Sequence, residues 1–178
     1  MIITISGRAG SGKSTIAKLV AKKLGLKHFS SGDFMRQMAK EKGISLLELS
    51  KLAEKDKSID KELDERQIRL GKEEDNFVID GRLSAFFIPK ADFKIFLDAD
   101  KKTRAERILK DARAEEEGKS LKDIEKKIEE REKSEAKRYR EYYSYDCYDK
   151  SKYDFVIDTT KLSIGGVAEK VLGLVNKK

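Results

Sequence analysis

Residues 2–15 read Ile2-Ile3-Thr4-Ile5-Ser6-Gly7-Arg8-Ala9-Gly10-Ser11-Gly12-Lys13-Ser14-Thr15. From Gly7 onward this is the full G-x-x-x-x-G-K-S pattern of a P-loop. The apolar run before it suits a buried parallel strand. After it, Ile16, Ala17, Leu19, Val20 and Leu24 recur at helical spacing, so a helix is expected from Ser14 to Leu24. The glycines let the backbone curl until consecutive N–H groups face one phosphate chain, and the helix N-terminus adds its partial positive charge. Gly7, Arg8, Ala9, Gly10, Ser11, Gly12, Lys13, Ser14 and Thr15 are therefore candidate ATP-binding residues. Lys13 is placed to reach the β- and γ-phosphates, and the Ser14 hydroxyl to ligate Mg²⁺.

Outward from this loop, strands and helices alternate. Short strands are expected at 27–30, 77–80, 93–98 and 153–158, and helices at 101–111, 121–140 and 164–176. Between the second and third strands the pattern is helical throughout, roughly 33–42, 45–56 and 60–71. Ser31 or Asp33 is a candidate N-cap of the first of these helices. Ser45 with Glu48 forms a candidate capping box for the second, and Asp60 is a candidate cap of the third. Five strands separated by helices call for an α/β fold, a five-stranded parallel sheet with helices on both faces. The chain reads as one domain over 1–178, with a helical insertion at 32–72 and a polar segment at about 111–122, containing Gly118, as a candidate lid. Ligands should gather at the carboxyl ends of the strands, where the P-loop, Ser31, Asp80 and Asp98 fall.

The 178 residues hold 40 Lys and Arg against 33 Asp and Glu, a net charge of +7. A basic balance suits either nucleic acid or small phosphate-bearing substrates. The P-loop favours the latter, and no interleaved aromatic and basic residues mark an RNA-binding motif. Cys147 is the sole cysteine and His28 the sole histidine, so neither an intrachain disulfide nor a Cys/His metal cluster can form, and both read as structural residues. No apolar run approaches membrane length, and the N-terminus enters a strand almost at once, so a cytoplasmic enzyme is expected.

Two further groups carry chemistry. Asp80 ends a strand beside the P-loop and is a candidate Mg²⁺ ligand, directly or through water. Arg36, Arg82, Arg104, Arg107, Arg131 and Arg138 lie on different elements able to converge on one cleft. A planar guanidinium grips phosphate oxygens bidentately, as phosphoryl transfer between two nucleotides requires.

The segments around these residues resemble the nucleoside monophosphate kinases, most closely the archaeal type of cytidylate kinase. Ser31-Gly32-Asp33-Phe34-Met35-Arg36 is similar to the family's S/T-G-x-x-x-R segment, Asp80-Gly81-Arg82 to its D-G-R, and Arg131-Glu132-Lys133-Ser134-Glu135-Ala136-Lys137-Arg138 to its R-D-x-x-D-x-x-R. Ile88 to Asp98 and Asp158-Thr159-Thr160 are also similar, so the resemblance spans nearly the whole chain. It implies a P-loop kinase fold and phosphoryl transfer from ATP to CMP or dCMP with Mg²⁺. It also implies acceptor-nucleotide binding by Ser31, Arg36, Arg82, Glu135 and Arg138, with Glu135 at the sugar. Three features depart from the bacterial members. Leu83 follows D-G-R where they carry an aspartate that contacts the base, Glu135 replaces an aspartate, and the helical insertion differs. Asp60, Asp64, Arg66 and Gln67 offer donors and acceptors for a base edge, but nothing in the sequence aims them.

The expected catalytic groups are Lys13, Arg82 and Arg131, with Arg104 and Arg107 on the ATP side. No general base is needed, because a nucleotide phosphate oxygen is already a nucleophile. The expected partners are ATP and CMP or dCMP, with no nucleic acid, no membrane and a monomeric enzyme. The rival readings are an adenylate or uridylate kinase on the same fold, or a P-loop ATPase acting on nucleic acid.

Overall fold

The P-loop strand lies at the centre of the sheet. The computed structural model describes residues 1–111 and 120–177. β1 (Ile2–Gly7) is buried along its whole length, as a parallel strand covered on both faces should be. It pairs in parallel with β3 (Phe77–Asp80) on one side and β4 (Phe93–Asp98) on the other, and β2 (Lys27–Ser30) and β5 (Phe155–Asp158) complete the order β2-β3-β1-β4-β5. All four pairings are parallel. The chain thus first builds outward from β1 to β2, fills in β3, then crosses to the other side for β4. The crevice created by that reversal lies above the carboxyl end of β1, where the P-loop leaves the sheet.

Side-chain alternation sorts the core into two layers. Ile3 and Ile5 point to the face covered by α1 (Lys13–Leu24) and α8 (Ile164–Val175), among Ile16, Val20, Val167 and Val171. Ile2, Phe77 and Ile79 point to the opposite face, where Leu70 of α4 (Lys57–Glu73) and Ile88, just after the one-turn helix α5 (Ser84–Phe87), cover them. The α/β architecture with helices on both faces is therefore as expected.

Three helices, α2 (Ser31–Glu41), α3 (Leu46–Ala53) and α4, connect β2 to β3 and share a small core of Met38, Ala39, Leu49, Ala53 and Ile59. The capping box of Ser45 and Glu48 is formed. The other two caps differ from expectation. Ser30, the last strand residue, caps α2 by accepting from the Asp33 amide, so Ser31 and Asp33 lie inside the helix. Asp56 caps α4, which begins a turn earlier than predicted and leaves Asp60 inside it, facing inward. The physical reason is shared: the chain turns helical directly at the strand end or loop end, so the residue with extended backbone is the one that caps.

α6 (Lys101–Lys110) and α7 (Leu121–Tyr143) pack together against Ala9 of the P-loop through Ala105, Ile124 and Ile128. α7 continues three residues beyond the expected end, and β5 starts at Phe155 because Tyr153 instead packs on Phe96, ring centroids 4.9 Å apart. The tyrosines at the end of α7 and just beyond it pack as a cluster. Tyr139, Tyr143, Tyr145 and Tyr148 enclose Leu83 and Cys147, which is buried and unoxidised. The candidate lid falls mainly on residues 112–119, outside the described residues. Among the described residues no helix is long and apolar enough to cross a membrane.

Candidate active site

A cleft of about 480 Å³ opens above the carboxyl ends of the strands. Its walls run from the P-loop, Ala9 to Ile16, through Ser31, Arg36, Asp80, Gly81 and Arg82 to Arg131, Glu135 and Arg138 on α7. At its far side lie residues of α3 and α4.

The P-loop shape is set by close approach to its neighbours. Gly7 and Gly10 have φ of +148° and +76°, and a Cβ on either would run into a backbone oxygen, that of Leu97 or of Arg104. Gly10→Ala is expected to cost about 1–3 kcal/mol through backbone strain alone, more if the Arg104 contact does not yield. It should also weaken ATP binding at least tenfold, read by urea midpoint and ATP titration. Wild-type affinity in that variant would show that the loop is not held as described.

Lys13 is buried within the loop, its ammonium donating to the Arg8 carbonyl at 2.9 Å. Burial, and then the nearby Arg82 charge, hold it well below the ordinary lysine value, against the pull of Asp80 and Glu135. A polyphosphate entering the cleft would reverse that balance.

Asp80 is placed by sheet register, level with Ser30 on one side and Ile5 on the other. Its Oδ2 accepts from the Ser14 hydroxyl at 2.7 Å and the Ser30 hydroxyl at 3.1 Å, and its Oδ1 meets His28 Nε2 at 2.9 Å. Burial pushes this carboxyl up, but the hydrogen bonds from His28 and Ser14 and the Lys13 charge outweigh it, leaving the group below the usual aspartate value. It is an anchored anion beside a hydroxyl, a pair of hard oxygen donors. Mg²⁺ commonly takes one or two such protein oxygens and completes its shell with phosphate and water, so Ser14 and Asp80 fit that ion. No cluster of three or more His, Cys, Asp or Glu able to hold a metal occurs among the described residues.

On α7, Arg131, Glu135 and Arg138 share a face at i, i+4 and i+7. Glu135 is buried and accepts from Arg82 Nε at 2.7 Å, Arg131 Nε at 3.0 Å and the Tyr148 hydroxyl at 2.9 Å. Burial alone would raise its pKa. The charges of Arg82 and Arg131 prevail and hold it at about 2. Arg138, also buried, lies 3.4 Å from Asp60 Oδ2. Arg36 pairs with Asp33 on its own helix. The structure thus brings Ser31, Arg36, Arg82, Arg131, Glu135 and Arg138 to one cleft with the P-loop.

The two arginines of α6 divide. Arg107 lines the cleft while donating to the Thr159 hydroxyl and carbonyl at 2.9 and 2.7 Å. Arg104 does not reach the cleft. It is buried, donating to the carbonyls of Ala99 and Ala9 and to Glu132 at 2.7 Å, and so braces the P-loop from behind. Arg8 also turns away, bonding Glu132 at 2.7 Å and stacking over Tyr148. Glu132 stands at the first acidic position of the α7 segment, where the resemblance implies no role for it, and His28, which carries no motif, orients Asp80. His28 could be foreseen only from strand alternation, two residues before Ser30 on the same face.

Asp60, Asp64 and Gln67 of α4 are buried and line the cleft, whereas Arg66 pairs with Glu62 away from it. Asp64 accepts from the Tyr143 hydroxyl. Burial, partly offset by that bond and reinforced by Asp60, pushes Asp64 up to about 7.

Residues 2–161 match the model of the cytidylate kinase-like family. The chain belongs to the cytidylate kinase-like family. Among its relatives, a cytidylate kinase of Natronomonas pharaonis is 46% identical over 177 residues, covering 99% of this chain and 90% of that protein. A cytidylate kinase of Pyrococcus horikoshii is 48% identical over 167 residues, covering 94% and 84%. The fold is shared more widely: a shikimate kinase structure from Bacteroides thetaiotaomicron superposes with a TM-score of 0.68 at 14% identity, covering 99% of this chain and 98% of that one. In this cytidylate kinase-like protein the D-G-R arginine, Arg82, and Arg131 of α7 meet through a single carboxylate, Glu135.

Proposed function

We propose that the chain transfers the γ-phosphoryl of ATP to CMP, and to dCMP, giving CDP or dCDP and ADP. The observation that carries this reading is the cleft itself. A triphosphate-binding loop and a second set of cations, Arg36, Arg82, Arg131 and Arg138, line one continuous space. Two phosphate groups that repel each other can there be held in line. The names of the relatives supply the acceptor base.

In this reading the loop amides from Ala9 to Thr15 and Lys13 hold the donor phosphates, and Arg107 faces the same end. Ser14 and Asp80 would hold Mg²⁺, which supplies charge neutralisation between the β- and γ-phosphates when bound. Ser31, Arg36, Arg82 and Arg138 bind and orient the acceptor, and Arg131 faces the transferring group. Glu135 acts first by spacing Arg82 from Arg131, since three donors already use its oxygens. Positioning and charge stabilisation carry the rate. The helices over 32–72 would close on the acceptor, and the segment near 111–122 on the donor. The enzyme would act in the cytoplasm, with two nucleotides as its partners.

The test is ADP release with ATP and Mg²⁺, offering CMP, dCMP, UMP, AMP and GMP separately. CMP and dCMP are expected to exceed the others at least tenfold in kcat/KM. A preference for AMP or UMP would overturn the acceptor assignment. Hydrolysis stimulated by RNA or DNA, with no nucleotide product, would overturn the kinase reading altogether.

A further inference from the structure

Three polar side chains of α4 line the cleft without an explanation in the phosphate chemistry. Asp60, Asp64 and Gln67 stand at i, i+4 and i+7, on one helical face, and are only 2%, 6% and 1% exposed. All three border the cleft, on the same side as the apolar Leu63, Met35 and Leu46.

Their internal bonding is incomplete. Asp60 Oδ2 makes no hydrogen bond; its ion pair with Arg138 is long, and Arg138 Nε and Nη1 are likewise without hydrogen bonds. Gln67 accepts the Ser84 hydroxyl on Oε1 at 2.9 Å, which turns its amide nitrogen elsewhere, and that nitrogen bonds to no other described residue. Asp64 is bonded by Tyr143 on one oxygen only. Asp60 and Arg138 are thus desolvated and only loosely paired, a condition that a bound polar partner would relieve, while Asp64 and Gln67 keep unused hydrogen-bonding capacity on the cleft lining.

Building on the cytidylate reading above, we propose that this face of α4 reads the acceptor base. The carboxyl groups of Asp60 and Asp64 take the exocyclic amine of cytosine, and the Gln67 amide nitrogen donates to the adjacent ring nitrogen. A carboxyl oxygen beside an N–H donor complements an amine beside a bare ring nitrogen. Uracil reverses both groups: its carbonyl would face the carboxyl oxygens and its ring N–H would face the amide. Each reversed contact leaves two buried polar groups opposed, and sites of this kind reject the wrong partner strongly. Adenine shares the amine-and-nitrogen edge and is told apart by size rather than by these groups. The aspartate that follows D-G-R in the bacterial members is then dispensable here. Leu83 at that position is buried in the tyrosine cluster.

The experiment compares kcat/KM for CMP and UMP in the wild type, Asp64→Asn and Gln67→Glu, with melting temperature and ATP affinity measured alongside. Asp64→Asn replaces an acceptor oxygen by a donor, and Gln67→Glu replaces the donor by an acceptor. Either is expected to lower the CMP-to-UMP ratio at least tenfold, in part by raising UMP turnover, while ATP affinity stays within about twofold. A gain on UMP cannot come from general damage to the fold. Should one variant fail to fold, the other still decides. An unchanged ratio in a folded variant, including equal losses on both substrates, overturns the assignment of α4 while a CMP-preferring wild type keeps the cytidylate reading intact. A wild type that prefers UMP overturns both.

Discussion

Lys13→Ala is expected to lower kcat about 10³-fold while leaving the protein folded. Removing one preorganised donor at a developing charge costs about 10²–10³, and a P-loop lysine contributes a full charge as well as a donor. The stability side of this prediction has its own sign. Burial and Arg82 depress the lysine in the free protein, so the unfolded chain binds this proton more tightly than the native one. Its contribution to stability therefore rises with pH across the window below the ordinary value of 10.5. Deleting the side chain removes that penalty, and the variant should melt at or above the wild-type temperature at neutral pH. Turnover within tenfold of wild type would show that Lys13 does not meet the transferring phosphate.

Arg82→Ala should cost both activity and stability. The guanidinium faces the cleft and its Nε holds Glu135 at 2.7 Å, with the two side chains only 13% and 7% exposed. Removing one partner of a buried pair costs about 3–5 kcal/mol, because the remaining charge is left poorly compensated. Here Arg131 and Tyr148 retain part of the compensation, which places the expected loss toward the lower end. The double variant Arg82→Ala/Glu135→Gln should recover most of the stability and none of the activity, separating the structural role from phosphate binding. pH provides a second readout. Glu135 sits at about 2 against an ordinary 4.5, so its stabilising contribution is complete above about 4.5 and is lost as pH falls toward 2. Glu135→Gln should flatten the acid limb of the stability curve in that window. Full activity in Arg82→Ala would remove this residue from the acceptor site.

Much of the site lies in local segments, which is why it was legible before any coordinates. The loop Gly7–Thr15, the pair Ser31 and Arg36 five residues apart on α2, Asp80-Gly81-Arg82 and the α7 face each keep their geometry within a few residues. Arg104 shows where such reading stops. On α6 it looks as available as Arg107, yet one turn of helix separates a side chain that faces the cleft from one that bonds the back of the P-loop. His28 has the converse history: as a lone histidine it suggested only packing, and register brought it to Asp80. The caps of α2 and α4 shifted because capping depends on which residue stays extended, a property of how strand and helix meet.

Periodicity and motif spacing by themselves determined the alternation of five strands with helices, the phosphate loop and most of the cationic residues, since each is written in near neighbours in the chain. Only the tertiary structure decided which charges face one another. Glu135 between Arg82 and Arg131, Asp60 against Arg138, and the inward turn of Asp64 and Gln67 are contacts between elements far apart in sequence. They follow from how α4 and α7 pack across the sheet, and that packing is set by buried apolar surface, which carries no direction for the polar groups it brings together.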